Sequence, residues 1–329
     1  MAINIFCSHF LTTTTTTLSI PSFLPSLPPA SWPSSSSSPN RIRGLSSSSS
    51  SSSSSPLMNP LAKFKELPFV SAPQRDLMLD LVSVLETRLA SALLPCSLPP
   101  DVQYYQNQTG TAEASLYIRS GIPSSPVDFI LGNWLHCKLP TGGTLNITSL
   151  SGYLKSLSDA PNLLFEVIQS SPTSFILILD LPPRKDLVLY PEYLKTFYED
   201  TELDSHRQLL EKLAEVRPYF SSSLYIRAVV SPSAILVRIE AEAGETARAE
   251  EIIRDHVSPI AKEIMKVWLD LCACVEREVG EAEMLYLRKR DQIIKNKTIE
   301  IDLGSNFPRL FGQEVADRVL GVLREVYNA

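Results

Sequence analysis

The sequence predicts an α/β fold, a three-layer α/β/α sandwich around a central, mainly antiparallel sheet. Three observations carry that prediction. Strand-like runs arrive as adjacent hairpins and not as repeated βαβ units. Several runs, such as Phe175-Ile-Leu-Ile-Leu179, are apolar on both faces and need cover on both sides. Helical periodicity flanks the strand region towards both ends of the folded part.

Pro73 opens a helix that runs to about residue 92, with Leu77, Leu81, Leu85 and Leu89 as one apolar stripe. Pro95, Pro99 and Pro100 end it. Residues 112–119 and 127–137 read as strands joined by a Gly/Pro/Ser turn, and 144–149 as another strand. Residues 163–168 and 175–181 suggest a hairpin, as do 224–230 and 234–240 through Ser231-Pro232-Ser233. Two helices lie between those pairs, near 191–199 and 201–215. After Gly244 the pattern is helical to about Asn296, divided at Ser258-Pro259 and at Gly280. A short strand at 298–303 precedes a last amphipathic helix carrying Val315, Val319, Val322 and Val326.

The first part of the chain is a different kind of sequence. Residues 1–56 hold no acid, only Arg41 and Arg43 as strong bases, and homopolymers of Thr (12–17) and Ser (46–55). Such a segment buries too little apolar surface to offset its ordering entropy. Its composition is that of a chloroplast transit peptide. Residues 57–329 are then expected to form a single catalytic domain.

Charge and cysteines exclude several classes. The formal charge is −6; without Arg41 and Arg43, 28 of the 30 bases remain against 36 acids, a net of −8. That balance argues against general nucleic-acid binding. No run of eighteen apolar residues occurs, so no membrane span is expected. Five scattered cysteines with no CxxC pair argue against a disulfide framework and against zinc or iron–sulfur ligation. There is no GxGxxG, GxxxxGK[ST], HExxH or GxSxG motif. If the chain is an enzyme, side-chain acids handle protons and electrons come from elsewhere.

Two acids stand out. Glu166 sits in the middle of Leu163-Leu-Phe-Glu-Val-Ile168, sharing a strand face with Leu164 and Ile168. A carboxyl there is paired, protonated or facing a cavity, and desolvation favours the protonated form, a proton donor. The alternatives are an exposed edge or a structural ion pair. Asp302, at the end of an alternating run with Glu300, either points into a pocket as a second acid or lies on a solvated face. Asp180 ends the apolar run 175–179 in the same way, or caps the Pro182-Pro183 turn. His136, beside Trp134 on a strand, is either a substrate contact or a satisfied core histidine. Arg184, Lys185, Arg288, Lys289, Arg290, Lys295 and Lys297 form basic clusters that suit an acidic docking partner, or a solvated face.

Eight blocks carry a resemblance: LLPCSLPPDV (93–102), AEASLYIRSG (112–121), DFILGNWLHCK (128–138), LDLPPRKDLV (179–188), DSHRQ (204–208), RDHVSP (254–259), IEIDL (299–303) and FPRLFG (307–312). Through them the chain, from about residue 60 to its end, resembles the red chlorophyll catabolite reductases of land plants, within the ferredoxin-dependent bilin reductase family. The resemblance implies reduction of red chlorophyll catabolite, an open-chain tetrapyrrole, to primary fluorescent chlorophyll catabolite. It implies no bound cofactor, electrons delivered singly by reduced ferredoxin, and a substrate between the sheet and the C-terminal helices. A homodimer in the chloroplast stroma is expected, with a minor mitochondrial pool and other chlorophyll-breakdown enzymes as further partners. The family's functional carboxylates fall on Glu166 and Asp302, and the position linked to product epimer falls on Val230, where some members carry Phe. Competing readings are a non-catalytic tetrapyrrole carrier and a reductase of another linear bilin.

Overall fold

The computed structural model describes residues 60–139, 142–304 and 306–328. The expected transit segment, with Cys7, Arg41 and Arg43, lies outside the described residues. The chain is α/β, built on one eight-stranded sheet: β1 (Tyr104–Gln106), β2 (Ala112–Ser120), β3 (Val127–Lys138), β4 (Thr144–Leu154), β5 (Leu163–Ser171), β6 (Ser174–Asp180), β7 (Val216–Pro218) and β8 (Ile235–Glu240). The spatial order is β1-β2-β3-β4-β5-β6-β8-β7, and every pairing is antiparallel. The two edges are three-residue strands, too short to offer a pairing template to another chain. Both were missing from the sequence expectation because three residues show no period.

The N-terminal helices are α1 (Pro60–Lys65) and α2 (Ala72–Arg88). The predicted stripe on α2 is buried: Leu77, Leu81, Leu85 and, at the cap, Leu89. A short α3 (Pro100–Gln103) leads into β1. After β6 come α4 (Pro191–Leu194), which widens into a π-helical turn at Lys195–Glu199, and α5 (Leu203–Leu210).

Residues 224–230 correct the expectation. They form helix α6 (Leu224–Val229), not a strand, and the Ser223 hydroxyl caps it by accepting from the Ile226 N–H at 3.3 Å. Ile226 and Val229, one turn apart, are its buried residues. Val230 is therefore a helix C-cap and not a strand end.

Past β8 the chain is helical: α7 (Thr246–Ile252), a π-turn (Ile253–Val257), α8 (Ser258–Trp268) and a second π-turn (Leu269–Ala273). Pro259 does not divide this stretch. The wide turn before it absorbs the missing N–H and the ring clash that a proline brings to a helix. Gly280 does divide it, as N-cap of α9 (Glu281–Thr298).

The expected strand at 298–303 is also helical. α9 runs into a π-turn (Ile299–Leu303), followed by α10 (Phe307–Phe311) and α11 (Gln313–Asn328). The Thr298 hydroxyl donates to the Ile294 carbonyl one turn back at 2.9 Å. Ile299 and Leu303, at helical spacing, are both buried while Glu300 is exposed. Five alternating residues fit a period of two and an i, i+4 spacing equally well.

The sheet buries two separate cores. Ile130, Trp134, Leu150, Phe165, Val167, Phe175 and Leu177 pack with residues of α1, α2, α5, α7 and α8. The alternate residues, Leu116, Leu131, Leu135, Ile147, Leu164, Ile168 and Ile178, pack with residues of α6, α9, the last π-turn, α10 and α11. Two glycines let helices approach the first face: an added Cβ at Gly132 would meet the Phe64 ring at 2.7 Å, and one at Gly152 would strike the Trp268 indole. No helix among the described residues is long and apolar enough to cross a membrane.

Candidate active site

Strand register builds the site. Asn133 on β3 pairs with Ser149 on β4, Ser149 with Glu166 on β5, and Glu166 with Ile178 on β6. Cross-strand partners share a face, so Asn133, Ser149 and Glu166 form one polar row on a largely apolar surface. All three are buried, Ser149 and Glu166 at 0% exposure. The Ser149 hydroxyl donates to Asn133 Oδ1. The next row on this face holds Ser151, opposite Leu164, and its hydroxyl is buried without a hydrogen bond to the described residues. Strand sequences signal these positions weakly. Asn133 is the one polar residue among Phe129, Leu131, Leu135 and Cys137, which share its face.

Asp180 closes β6 on the same face, opposite Leu164 and diagonal to Glu166. It does not serve the Pro182-Pro183 turn. Its carboxylate accepts from the Ser231 backbone N–H at 2.9 Å and from the Ser231 hydroxyl at 2.5 Å. Burial pushes its pKa up to about 6 against the opposing pull of the hydrogen bonds from Ser231 and Leu181. Val230 precedes this anchor. It is half-buried and packs on the core that flanks Glu166.

Asp302 lies in the π-turn, between Ile299 and Leu303, which are buried in that same core. The segment that carries it therefore packs on Glu166's side of the sheet. π-turns of this kind recur at functional sites.

His136 is elsewhere. It stands three residues from Asn133 on β3, and odd separations along a strand point to opposite faces. It stacks on Phe69 with ring centroids 3.8 Å apart, and its Nδ1 donates to Asn146 Oδ1 at 2.7 Å. The structure brings Glu166, Asp180 and Val230 together with the Asp302 segment and leaves His136 across the sheet.

Three of the seven residues of the expected basic docking face, Arg184, Lys185 and Lys295, are spent internally. Arg184 is fully buried, bonded to Asp291 and to the carbonyls of Ser158, Ala160 and Lys155. Lys185 pairs with Asp159 and Glu283, and Lys295 with Asp128. Arg288 and Lys289 remain exposed on α9. Among the described residues no group of three or more His, Cys, Asp or Glu side chains is placed to hold a metal ion.

Comparison with known proteins adds to this geometry. A profile of the family described as red chlorophyll catabolite reductase (RCC reductase) matches residues 73–325. A red chlorophyll catabolite reductase, chloroplastic, from Arabidopsis thaliana is 55% identical over 269 residues, covering 81% of this chain and 84% of that one. Red chlorophyll catabolite reductase 1, chloroplastic, from Oryza sativa subsp. japonica is 43% identical over 261 residues, covering 79% of each. Among solved structures, selenomethionine phytochromobilin synthase from tomato in complex with biliverdin shares the fold with a TM-score of 0.57 at 16% identity, over 77% of this chain and 83% of that one.

Proposed function

The chain belongs to the red chlorophyll catabolite reductase family, and from that premise we propose that it reduces red chlorophyll catabolite to primary fluorescent chlorophyll catabolite during chlorophyll breakdown. In this reading two electrons and two protons add across one double bond of the open-chain tetrapyrrole. The electrons come one at a time from reduced ferredoxin, and no cofactor is held. Glu166 and Asp302 donate the protons. The fold is taken as a three-layer α/β/α sandwich, with the substrate between the sheet and the helices α9–α11.

The observation that carries the reading is the buried row Asn133–Ser149–Glu166, with the Ser151 hydroxyl beside it making no hydrogen bond among the described residues. A packed core gains nothing from polar groups in the middle of its sheet. A site for a conjugated molecule with pyrrole N–H and carbonyl groups gains hydrogen-bond partners from them. Desolvation favours the neutral acid of a buried carboxyl, the form with a proton to give. Val230 would wall the pocket and bias which epimer forms. The exposed Arg288 and Lys289 suit an acidic electron donor.

The relatives' names support a chloroplast address, and residues 1–56 supply the matching composition. We place the mature domain (57–329) in the stroma as a homodimer, with a minor mitochondrial pool and contacts to other chlorophyll-breakdown enzymes.

The test is an anaerobic assay with reduced ferredoxin and red chlorophyll catabolite, following blue fluorescence. Wild type should produce it. Glu166→Gln and Asp302→Asn should each lower turnover by about 100-fold or more. Pigment bound without fluorescent product would make the chain a carrier. Turnover of a different linear bilin in preference would reassign its substrate.

A further inference from the structure

On the face of the sheet opposite Glu166, a second polar row runs His136–Asn146–Gln169, again by register, and ends against Phe175. It borders a cavity of about 320 Å³ between β4, β5, β6 and helix α7. Asn146 and Gln169 are each 8% exposed, and both line the cavity. The Asn146 carbonyl oxygen is taken by His136, which leaves its NH₂ group to the cavity. The Gln169 carboxamide, on the strand position paired with Asn146, makes no hydrogen bond to the described residues, so its N–H and C=O also face the cavity. The Ser71 hydroxyl, also in the lining, is buried without a hydrogen bond to the described residues, and leaving such a group unpaired is costly unless an occupant reaches it.

The walls say what kind. Phe69, stacked on His136 on one side, and the buried Phe175 line the cavity with apolar surface, suited to a ring. The lining holds one carboxylate, Glu250, and no lysine, arginine or histidine. An anion therefore has no partner there. Two carboxamides complement a ligand with a donor and an acceptor on adjacent atoms. The volume suits one or two fused rings.

We propose that this cavity is a second ligand site, separate from the Glu166 face, for a neutral planar ring bearing adjacent N–H and C=O groups, the chemistry of lactams, ureides and nucleobases. His136 acts there as a positioning residue. It holds the Asn146 oxygen and so turns the amide NH₂ towards the ligand.

The probe is 2-pyridone, with benzoate as an anionic ring of similar size. Saturation-transfer NMR on the full chain should show 2-pyridone bound and benzoate not. Gln169→Leu should weaken 2-pyridone binding by about tenfold or more. Crystals of the unmodified protein soaked in 2-pyridone should show the ring between Phe69 and Phe175, with its N–H and C=O on Gln169 and Asn146. If Gln169→Leu does not fold, Ala249→Leu, which narrows the cavity from the α7 side, should exclude the ring. Failure of 2-pyridone to bind, equal binding by the variants, or only ordered water between Asn146 and Gln169 in the soaked crystal would overturn the proposal.

Discussion

Asp180 holds Ser231 by two hydrogen bonds, from its backbone N–H at 2.9 Å and its hydroxyl at 2.5 Å. A carboxylate buried this deeply is used to fix backbone, and what it fixes is the residue after Val230. Burial raises its pKa to about 6, so the folded state holds its proton at a pH where the unfolded chain has released it. Its contribution to stability is then fully present below the unfolded value near 4 and is lost as pH rises through about 6. Tyr198 nearby is pushed well above its ordinary value and stays neutral throughout. Asp180→Asn has no such proton to lose. Between pH 4 and pH 7 wild type should lose roughly 3 kcal/mol relative to the variant. Urea unfolding of both proteins across that range measures it, and parallel pH curves would refute it.

The same anchor bears on stereochemistry. Val230 closes α6 with its N–H on the Ile226 carbonyl at 3.2 Å, and Asp180 pins the following residue. Its side chain is thus held from both sides against the core around Glu166. Val230→Phe adds a ring at a fixed point, and the substrate must tilt to avoid it. Under the proposed reaction the product should switch epimer with turnover retained within about 100-fold, since one wall contact is worth about 1–3 kcal/mol. Chiral chromatography of the product decides, and an unchanged epimer would sink the idea.

Much of this was legible in the sequence, and the failures have physical causes. β2 through β6 show as strands because each is buried on both faces over most of its length, and β8 shows by alternation, with Ile235, Val237 and Ile239 buried. Glu166 shows because a charge interrupts such a run. Asp180 was visible, but its partner was not, since Ser231 lies 51 residues away and no local pattern encodes that contact. α6 and the π-turn at 299–303 were misread because runs of five to seven apolar-rich residues satisfy either period. The capping Ser223 was the available signal for α6. The side of the sheet on which His136 lies is not legible, because alternation gives a residue's face only relative to its own strand, and β3 carries both rows.

The Arg184–Asp291 pair ties the loop after β6 to α9, the helix that leads into the Asp302 turn. The Arg184 guanidinium is 0% exposed, and its Nη2 lies 2.5 Å from Asp291 Oδ2. Such a pair contributes little net stability over an apolar replacement, but removing one partner leaves a buried charge uncompensated. Asp291→Ala should cost about 3–5 kcal/mol, and Arg184→Met combined with Asp291→Leu should recover most of it. Urea midpoints at constant slope give both values. A loss below about 1 kcal/mol for Asp291→Ala would mean that water reaches the guanidinium.

Gly152 separates the two faces of the sheet experimentally. It sits on β4 directly under the Trp268 indole, which is 0% exposed and donates from Nε1 to the Pro161 carbonyl at 3.1 Å. An added methyl has nowhere to go unless the ring moves and that bond breaks. Gly152→Ala should cost about 1–3 kcal/mol by overpacking. Trp268→Phe in the same chain opens room, so the double variant should lose less than the two single losses combined, by roughly 0.5–3 kcal/mol. Thermal or urea unfolding of the four proteins closes that cycle. Both residues belong to the core opposite Glu166. Turnover per folded molecule of Gly152→Ala should therefore match wild type, and a fall in turnover larger than the fall in folded fraction would show that the two faces are coupled through the sheet.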